Sequence, residues 1–346
     1  MTNISTSKLE LHTPDKLNKL DKIDCRILFE LKKNSRIPET ALAKLIRRSK
    51  ESVRYRIKQL TTNGYITGFT IWMDPAKLGY QSAKIYVELS NRPKRKTEFI
   101  DYVKNEERVF WLGIADGAWN AGITYFVKNN KEFFDLKNEL FSKFRDLILE
   151  SKTAVLVSAS YGEMKFLHQS ETPLQTIFEN VENNTLDETE QHILKQLFKN
   201  SRTTLVDLAK ICNTTIDIVR NRMRRLEAKG IISRYTINID FKKLGMEFYK
   251  TFLYFRNITK KDEMKLFEYS RKHPNILHLM KQISPWDVEL EIMCKNYSEY
   301  SDIISEITQE FSDVINKVET AIMSEDHVFP GKQLNAAISQ KTEAKS

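Results

Sequence analysis

The chain has 346 residues, 41% apolar and 10% aromatic, a composition that suits two to four folded domains and excludes wholesale disorder. No apolar run approaches the roughly 18 residues that span a bilayer, the polar N-terminus has no signal-peptide core, and Cys25, Cys212 and Cys294 fit reduced core positions, so a cytoplasmic protein is expected. The net charge of +9 is unevenly placed. Residues 20–79 carry thirteen Lys/Arg against six Asp/Glu and 186–245 carry twelve against seven, whereas 246–346 carry thirteen against sixteen. Such concentration points to a polyanionic partner at the two basic blocks.

Residues 1–18 are polar and aperiodic and read as a flexible tail. Across 19–75, Ile23, Ile27, Leu28 and Leu31 fall at helical spacing, and Asn34 suits a left-handed helix end. Pro38 can open a second helix with Leu42, Ala43 and Ile46 inward. Ser49 is a good N-cap for a third, striped by Val53, Ile57 and Leu60 and stopped by Asn63-Gly64. Residues 66–73 then read as a strand closed by Asp74-Pro75, completing a winged helix-turn-helix.

Residues 76–160 read β-α-β-β-α-β, with strands at 83–89, 109–115, 123–127 and 154–158 and helices near 95–105 and 131–147. That order is the ferredoxin-like sandwich. Residues 161–184 read as a linker which, if extended, lets two units lie side by side. The winged helix returns at 185–241, through Ile193, Leu194 and Leu197, then Leu208, Ala209 and Cys212, then Val219, Met223, Leu226 and Gly230. A second sandwich occupies 242–330, with strands at 249–255, 276–280, 288–294 and 320–323 and helices near 261–272 and 298–312. Residues 331–346 read as a second tail. The expected fold class is α+β, two winged helix-turn-helix domains alternating with two ferredoxin-like sandwiches.

The recurrence is literal. Residues 20–79 align on 186–245 without a gap at an offset of 166, with 24 identities that include Lys33-Asn34-Ser35-Arg36 over Lys199-Asn200-Ser201-Arg202. A self-match at this period means two copies of a multi-element module. On the third helix of each copy, the face opposite the apolar stripe is polar. It presents Glu51, Tyr55, Lys58 and Thr62, flanked by Ser52, Arg54 and Gln59; in copy two it presents Asp217, Asn221 and Arg224, flanked by Ile218, Arg220 and Arg225. Arg, Lys and Asn can read guanine or adenine edges in a major groove. Arg47, Arg48 and Lys50 sit where phosphate is met, and Ser49, with Thr214 and Thr215 in copy two, are further candidates for DNA contact. The alternative is a solvated helix face carrying charge for solubility.

Leu-Asp-x-x-Asp-x-x-Ile-Leu, Asn-Ser-Arg, Leu-Ala, Val-x-x-Arg and Gly-x-Ile, within residues 20–66, resemble the Lrp/AsnC family of prokaryotic transcription regulators. The resemblance implies an N-terminal helix-turn-helix, a hinge strand, and a ferredoxin-like (RAM) domain for dimerisation and effector binding. Two units in one chain then imply a built-in pseudo-dimer on double-stranded DNA, open to further homo-oligomerisation. It also implies a small-molecule effector, such as an amino acid, near the turn after the second sheet strand. There copy one has Gly117, Trp119 and Asn120 where the family has Gly and aromatic-Asp, and copy two has Trp286-Asp287 after Ser284-Pro285. Both depart from the pattern, and the tryptophans also read as core aromatics. Glu289 and Glu291 share one strand face and read as rim charges, or else as a metal or basic-ligand pair.

No enzyme chemistry and no cofactor are expected. The six histidines (12, 168, 192, 273, 278 and 327) lack metal-binding spacing, and no phosphate loop or nucleophile elbow occurs. Two alternatives stand beside the regulator. One is an architectural DNA binder. The other is a sirohaem-decarboxylase-like enzyme, whose Arg-Arg-x-Gly-Ala stretch corresponds here to Lys77-Leu78-Gly79-Tyr80-Gln81 and Lys243-Leu244-Gly245-Met246-Glu247.

Overall fold

A computed structural model describes residues 20–169 and 175–329; the two expected tails and residues 170–174 of the joining segment lie outside the described residues. Local chemistry starts each helical unit in the same way. Asp21 accepts the amides of Ile23 and Asp24 while Asp24 returns to the Asp21 amide, a capping box that opens α1 (Lys22–Lys33). Asp187 and Glu190 repeat the box at α6 (Glu188–Lys199). In copy one α2 (Glu39–Ile46), α3 (Lys50–Thr62) and β1 (Ile66–Met73) follow. Copy two continues with α7 (Leu205–Ile211), α8 (Ile216–Ala228) and β7 (Ile232–Ile239). One expectation fails locally. Asn34 is extended (φ −152°), its side chain accepting the Arg36 amide, and the left-handed residue is instead Arg47 (φ 55°) at the end of α2.

The two copies are interlocked. Strands β1 and β7 pair antiparallel with each other, forming a sheet of their own. Each then packs under the opposite copy's helices: Ile237 and Ile239 join the core of Leu28, Leu31, Val53 and Ile57, and Ile71 and Met73 join that of Ile193, Leu194, Val219 and Met223. The Thr236 hydroxyl donates to the Lys32 carbonyl and that of Thr70 to the Phe198 carbonyl, one exchange written twice. At the centre the buried hydroxyls of Ser35 and Ser201 meet at 2.7 Å. Arg36 donates across to the carbonyls of Ser201 and Thr203, and Arg202 donates back to that of Ser35. The identical Asn-Ser-Arg triplets are therefore the seam on the pseudo-twofold axis.

The sandwich strands also merge. Copy one supplies β2 (Gln81–Leu89), β3 (Val109–Gly117), β4 (Ala121–Val127) and β5 (Ile148–Tyr161), with α4 (Pro93–Asn105) and α5 (Asn130–Lys143) on the outer face. A short β6 (Gln175–Ile177) adds to β5. Copy two supplies β8 (Glu247–Phe255), β9 (Ile276–Ile283), β10 (Val288–Cys294) and β11 (Ile315–Val328), covered by α9 (Lys260–Lys272) and α10 (Tyr297–Glu310). The pairing runs β2-β4-β3-β11-β8-β10-β9-β5 and returns from β5 to β2, a closed antiparallel ring. Closure explains why β5 and β11 reach fourteen residues. Each pairs within its own copy in its first half, bulges at Leu156/Ser158 or Met323/Glu325, and pairs with the other copy's β9 or β3 in its second half.

The ring encloses Tyr86, Trp111, Trp119, Phe252 and Trp286, and beside them a buried charge cluster. Glu289, expected on a rim, is 0% exposed. Its carboxylate lies 2.9 Å from Lys84, 2.8 Å from Lys250 and 2.8 Å from the Tyr86 hydroxyl. Glu291 is held by Lys250 and His278. The rim expectation is corrected, because Lys250 on the neighbouring β8 and Lys84 on the other copy's β2 share the interior with these acids. The cluster is lopsided: opposite Lys84, where copy two has Glu291 facing Lys250, copy one has Thr124, and the counterpart of Glu289 is Gly122. Gly122 is also sterically fixed, since a Cβ there would sit 2.8 Å from the Trp111 ring.

The described parts of the joining segment are packed into the two helical units. Met164, Phe166 and Leu167 enter the core beneath α1, and Ile177 and Phe178 enter that beneath α6. Among the described residues no helix is long and apolar enough to cross a membrane.

Candidate nucleic-acid interface

Helices α3 and α8 each lie in their unit with one face inward, Val53, Ile57 and Leu60 or Val219, Met223 and Leu226, and the rest turned out. Ser49 and Thr215 are the N-caps, accepting the amides of Ser52 (3.2 Å) and Ile218 (3.3 Å), so these hydroxyls hold the helix start. In copy one Arg47, Arg48, Lys50, Arg54, Tyr55 and Lys58 are exposed and Ser52 is half-buried. In copy two Asn221, Arg224 and Arg225 are exposed, with Thr214 and Arg220 half-buried.

The arginines differ in freedom. Arg54 lies 2.9 Å from Glu39 on α2, which raises the guanidinium pKa above its already high ordinary value. Arg220 is held by Asp217, and Arg225 reaches the buried Glu190 at 3.4 Å. These three therefore meet a ligand from a restrained position. Lys50, Lys58 and Arg224 make no ion pair among the described residues, and Arg48 only donates to the Arg47 carbonyl. Long cations at a surface without acid partners suit a polyanion.

Two residues outside the sequence-derived set orient the helices. Arg56 bridges Asp21 and Asp24, the acids of the α1 cap, at 2.8 and 2.7 Å, and Arg222 reaches Asp187 at 3.1 Å. The repeated Val-Arg-x-Arg motif thus ties each third helix to its first. The signal that could have found this was the repeat of acid and arginine together at constant offset.

The effector candidates lie elsewhere, in the ring. Trp119 and Trp286 are buried, each with its indole nitrogen lacking a hydrogen-bond partner. Asn120 accepts the Leu89 amide at 2.8 Å and Asp287 the Phe255 amide at 2.7 Å, so both fasten a neighbouring strand end. Gly117 has φ +118°, and a Cβ there would meet the Thr320 carbonyl oxygen at 2.4 Å.

Comparisons with known proteins agree with this arrangement. The profile of winged helix-turn-helix DNA-binding domains matches residues 20–67 and 186–233. An uncharacterized HTH-type transcriptional regulator of Pyrococcus abyssi is 32% identical over 143 residues, 41% of this chain and 95% of that protein. The HTH-type transcriptional regulators LrpA of the same organism and LrpC of Bacillus subtilis are each 32% identical, over 36% of this chain and 87% and 83% of theirs. Over the whole molecule the architecture is similar to the crystal structure of the siroheme decarboxylase NirDL, with TM-score 0.63 and 14% identity across 94% of this chain and all of that one, a likeness of fold alone. With two DNA-binding winged helices, each followed by a ferredoxin-like unit, the chain belongs to the Lrp/AsnC family as a tandem of two complete units.

Proposed function

We propose that this protein is a sequence-selective transcriptional regulator, a covalent pseudo-dimer that sets α3 and α8 into neighbouring major grooves, and that it is not an enzyme. The observation that carries the reading is the exposure of Lys50, Lys58 and Arg224, which make no ion pair among the described residues, on two third helices whose units meet at the Ser35–Ser201 seam. A non-specific binder would need only the charge; the unlike faces, Tyr55 and Lys58 against Asn221 and Arg224, favour a site with two different halves.

Selection of bound duplexes from a random DNA pool tests this. The expected product is an imperfect palindrome whose half-sites lie about one helical turn, ~34 Å, apart. Lys58→Ala should lower the salt slope by about one unit if the amine meets phosphate. Absence of duplex binding even in dilute buffer refutes the reading. The whole-chain likeness to NirDL favours one competing reading, a tetrapyrrole enzyme. A shifted porphyrin absorbance band on adding sirohaem, with loss of a carboxyl group from it, would establish that alternative.

A further inference from the structure

Helices α3 and α8 share one frame, yet their first turns are chemically unlike. Lys50 and Ser52, the first and third residues of α3, correspond to Ile216 and Ile218 of α8, which are 39% and 44% exposed. Val206 near the start of α7 is 47% exposed where α2 has Thr40, and Ile211 at its end is 50% exposed. Neither isoleucine of α8 contributes to the core beneath that helix, which Val219, Met223 and Leu226 supply. Each costs free energy by standing in water.

Ile216 and Ile218 stand two residues apart and so lie on opposite flanks of α8, and it is Ile218 that shares a side with the exposed Asn221 three residues on. Asp217, between the two isoleucines, holds Arg220, and Arg224 follows on the same helix with no ion pair among the described residues. The residues of a recognition helix that meet base edges are those near its N-terminus. The one apolar group that a major groove offers there is the C5 methyl of thymine, and the exposed Asn221 carries the amide that pairs with adenine N6 and N7. Resting on the DNA-binding reading above, we infer that Ile218 and Asn221 make the second head a reader of A·T pairs through thymine methyls. The first head, with Ser52 and Lys58 in the same frame, reads hydrogen-bonding edges. The site has one methyl-dependent half and one methyl-independent half, and Ile218 sets the difference.

The test uses the full chain and its selected duplex, with each thymine replaced in turn by deoxyuridine, which lacks only the methyl. Fluorescence anisotropy should report about a fourfold loss of affinity per contacted methyl, confined to one half-site. In Ile218→Ser the uridine penalty should vanish there while the other half-site is unchanged, an internal control for folding. Ser52→Ile should create a penalty in the half-site that had none. Uridine tolerance throughout, equal penalties in both halves, or a penalty that persists in Ile218→Ser would overturn the inference while leaving the regulator reading intact; the first of these would hand Ile218 to a protein partner. Failure to bind any duplex removes both readings.

Discussion

Lys250→Met probes the buried cluster where the two copies meet. The Lys250 amine lies 2.8 Å from Glu289 and also holds Glu291, and all three side chains are inside the ring. At an effective dielectric of about 20, one such pair at this distance is worth about 6 kcal/mol. Stripping water from each ion costs several kcal/mol in the opposite direction. Burial pushes both carboxyls toward protonation, yet Lys250, with Lys84 at Glu289 and His278 at Glu291, outweighs it and holds them below the usual carboxylate range. Removing the amine leaves two acids facing Lys84 and His278, and the expected cost is ~3–5 kcal/mol. Lys250→Met combined with Glu291→Gln removes one charge of each sign and should recover most of that loss. Urea unfolding followed by tryptophan fluorescence suits the assay, because Trp111, Trp119 and Trp286 line the same interior. A loss below about 1 kcal/mol in the single variant, or no recovery in the double, would refute the argument that an uncompensated charge is the cause.

Two further outcomes are expected. Arg36→Ala removes charged donors to the Ser201 and Thr203 carbonyls and should cost ~1.5–3 kcal/mol, with faster hydrogen exchange at the Ser35 amide, which bonds the Tyr235 carbonyl; unchanged exchange would refute a role for Arg36 in the seam. His273 is buried and its pKa is pushed down to about 4 by burial, with help from Lys165. Its unfolded form binds a proton near pH 6.5 and its folded form does not, so stability falls as pH drops from about 6.5 to 4, by up to ~3 kcal/mol. His273→Asn, which keeps an acceptor for the Asn275 amide, should flatten that part of the pH profile; an identical slope in both proteins would refute it.

Period and capping chemistry made most elements legible, because they act within a few residues: the stripe Val53, Ile57 and Leu60 fixes α3, and Ser49 starts it. What depended on distant partners was not. The second halves of β5 and β11 look like loop, Ser158-Ala159-Ser160 and Ser324-Glu325-Asp326, and become strand only because β9 and β3 of the other copy complete their hydrogen bonds. Glu289 and Glu291 look like rim charges in the sequence, since Lys84 lies 205 residues from its partner Glu289. At the nucleic-acid face residue types were visible but freedom was not. Arg54 meets Glu39 on α2 and Arg225 meets Glu190 on α6, pairings that follow from how the helices pack. Lys33-Asn34-Ser35-Arg36 stood out as an identity, while its place on the axis needed both copies in space.

The unequal sharing of acid across the ring has a consequence for how this polypeptide can associate. Two first halves joined face to face would enclose paired ammonium groups, Lys84 against its own image, with Thr124 and Gly122 offering no anion. Two second halves would crowd four carboxylates around two lysines. Only the mixed couple comes close to electrical balance, so each half selects an unlike half and is discouraged from pairing with its own kind.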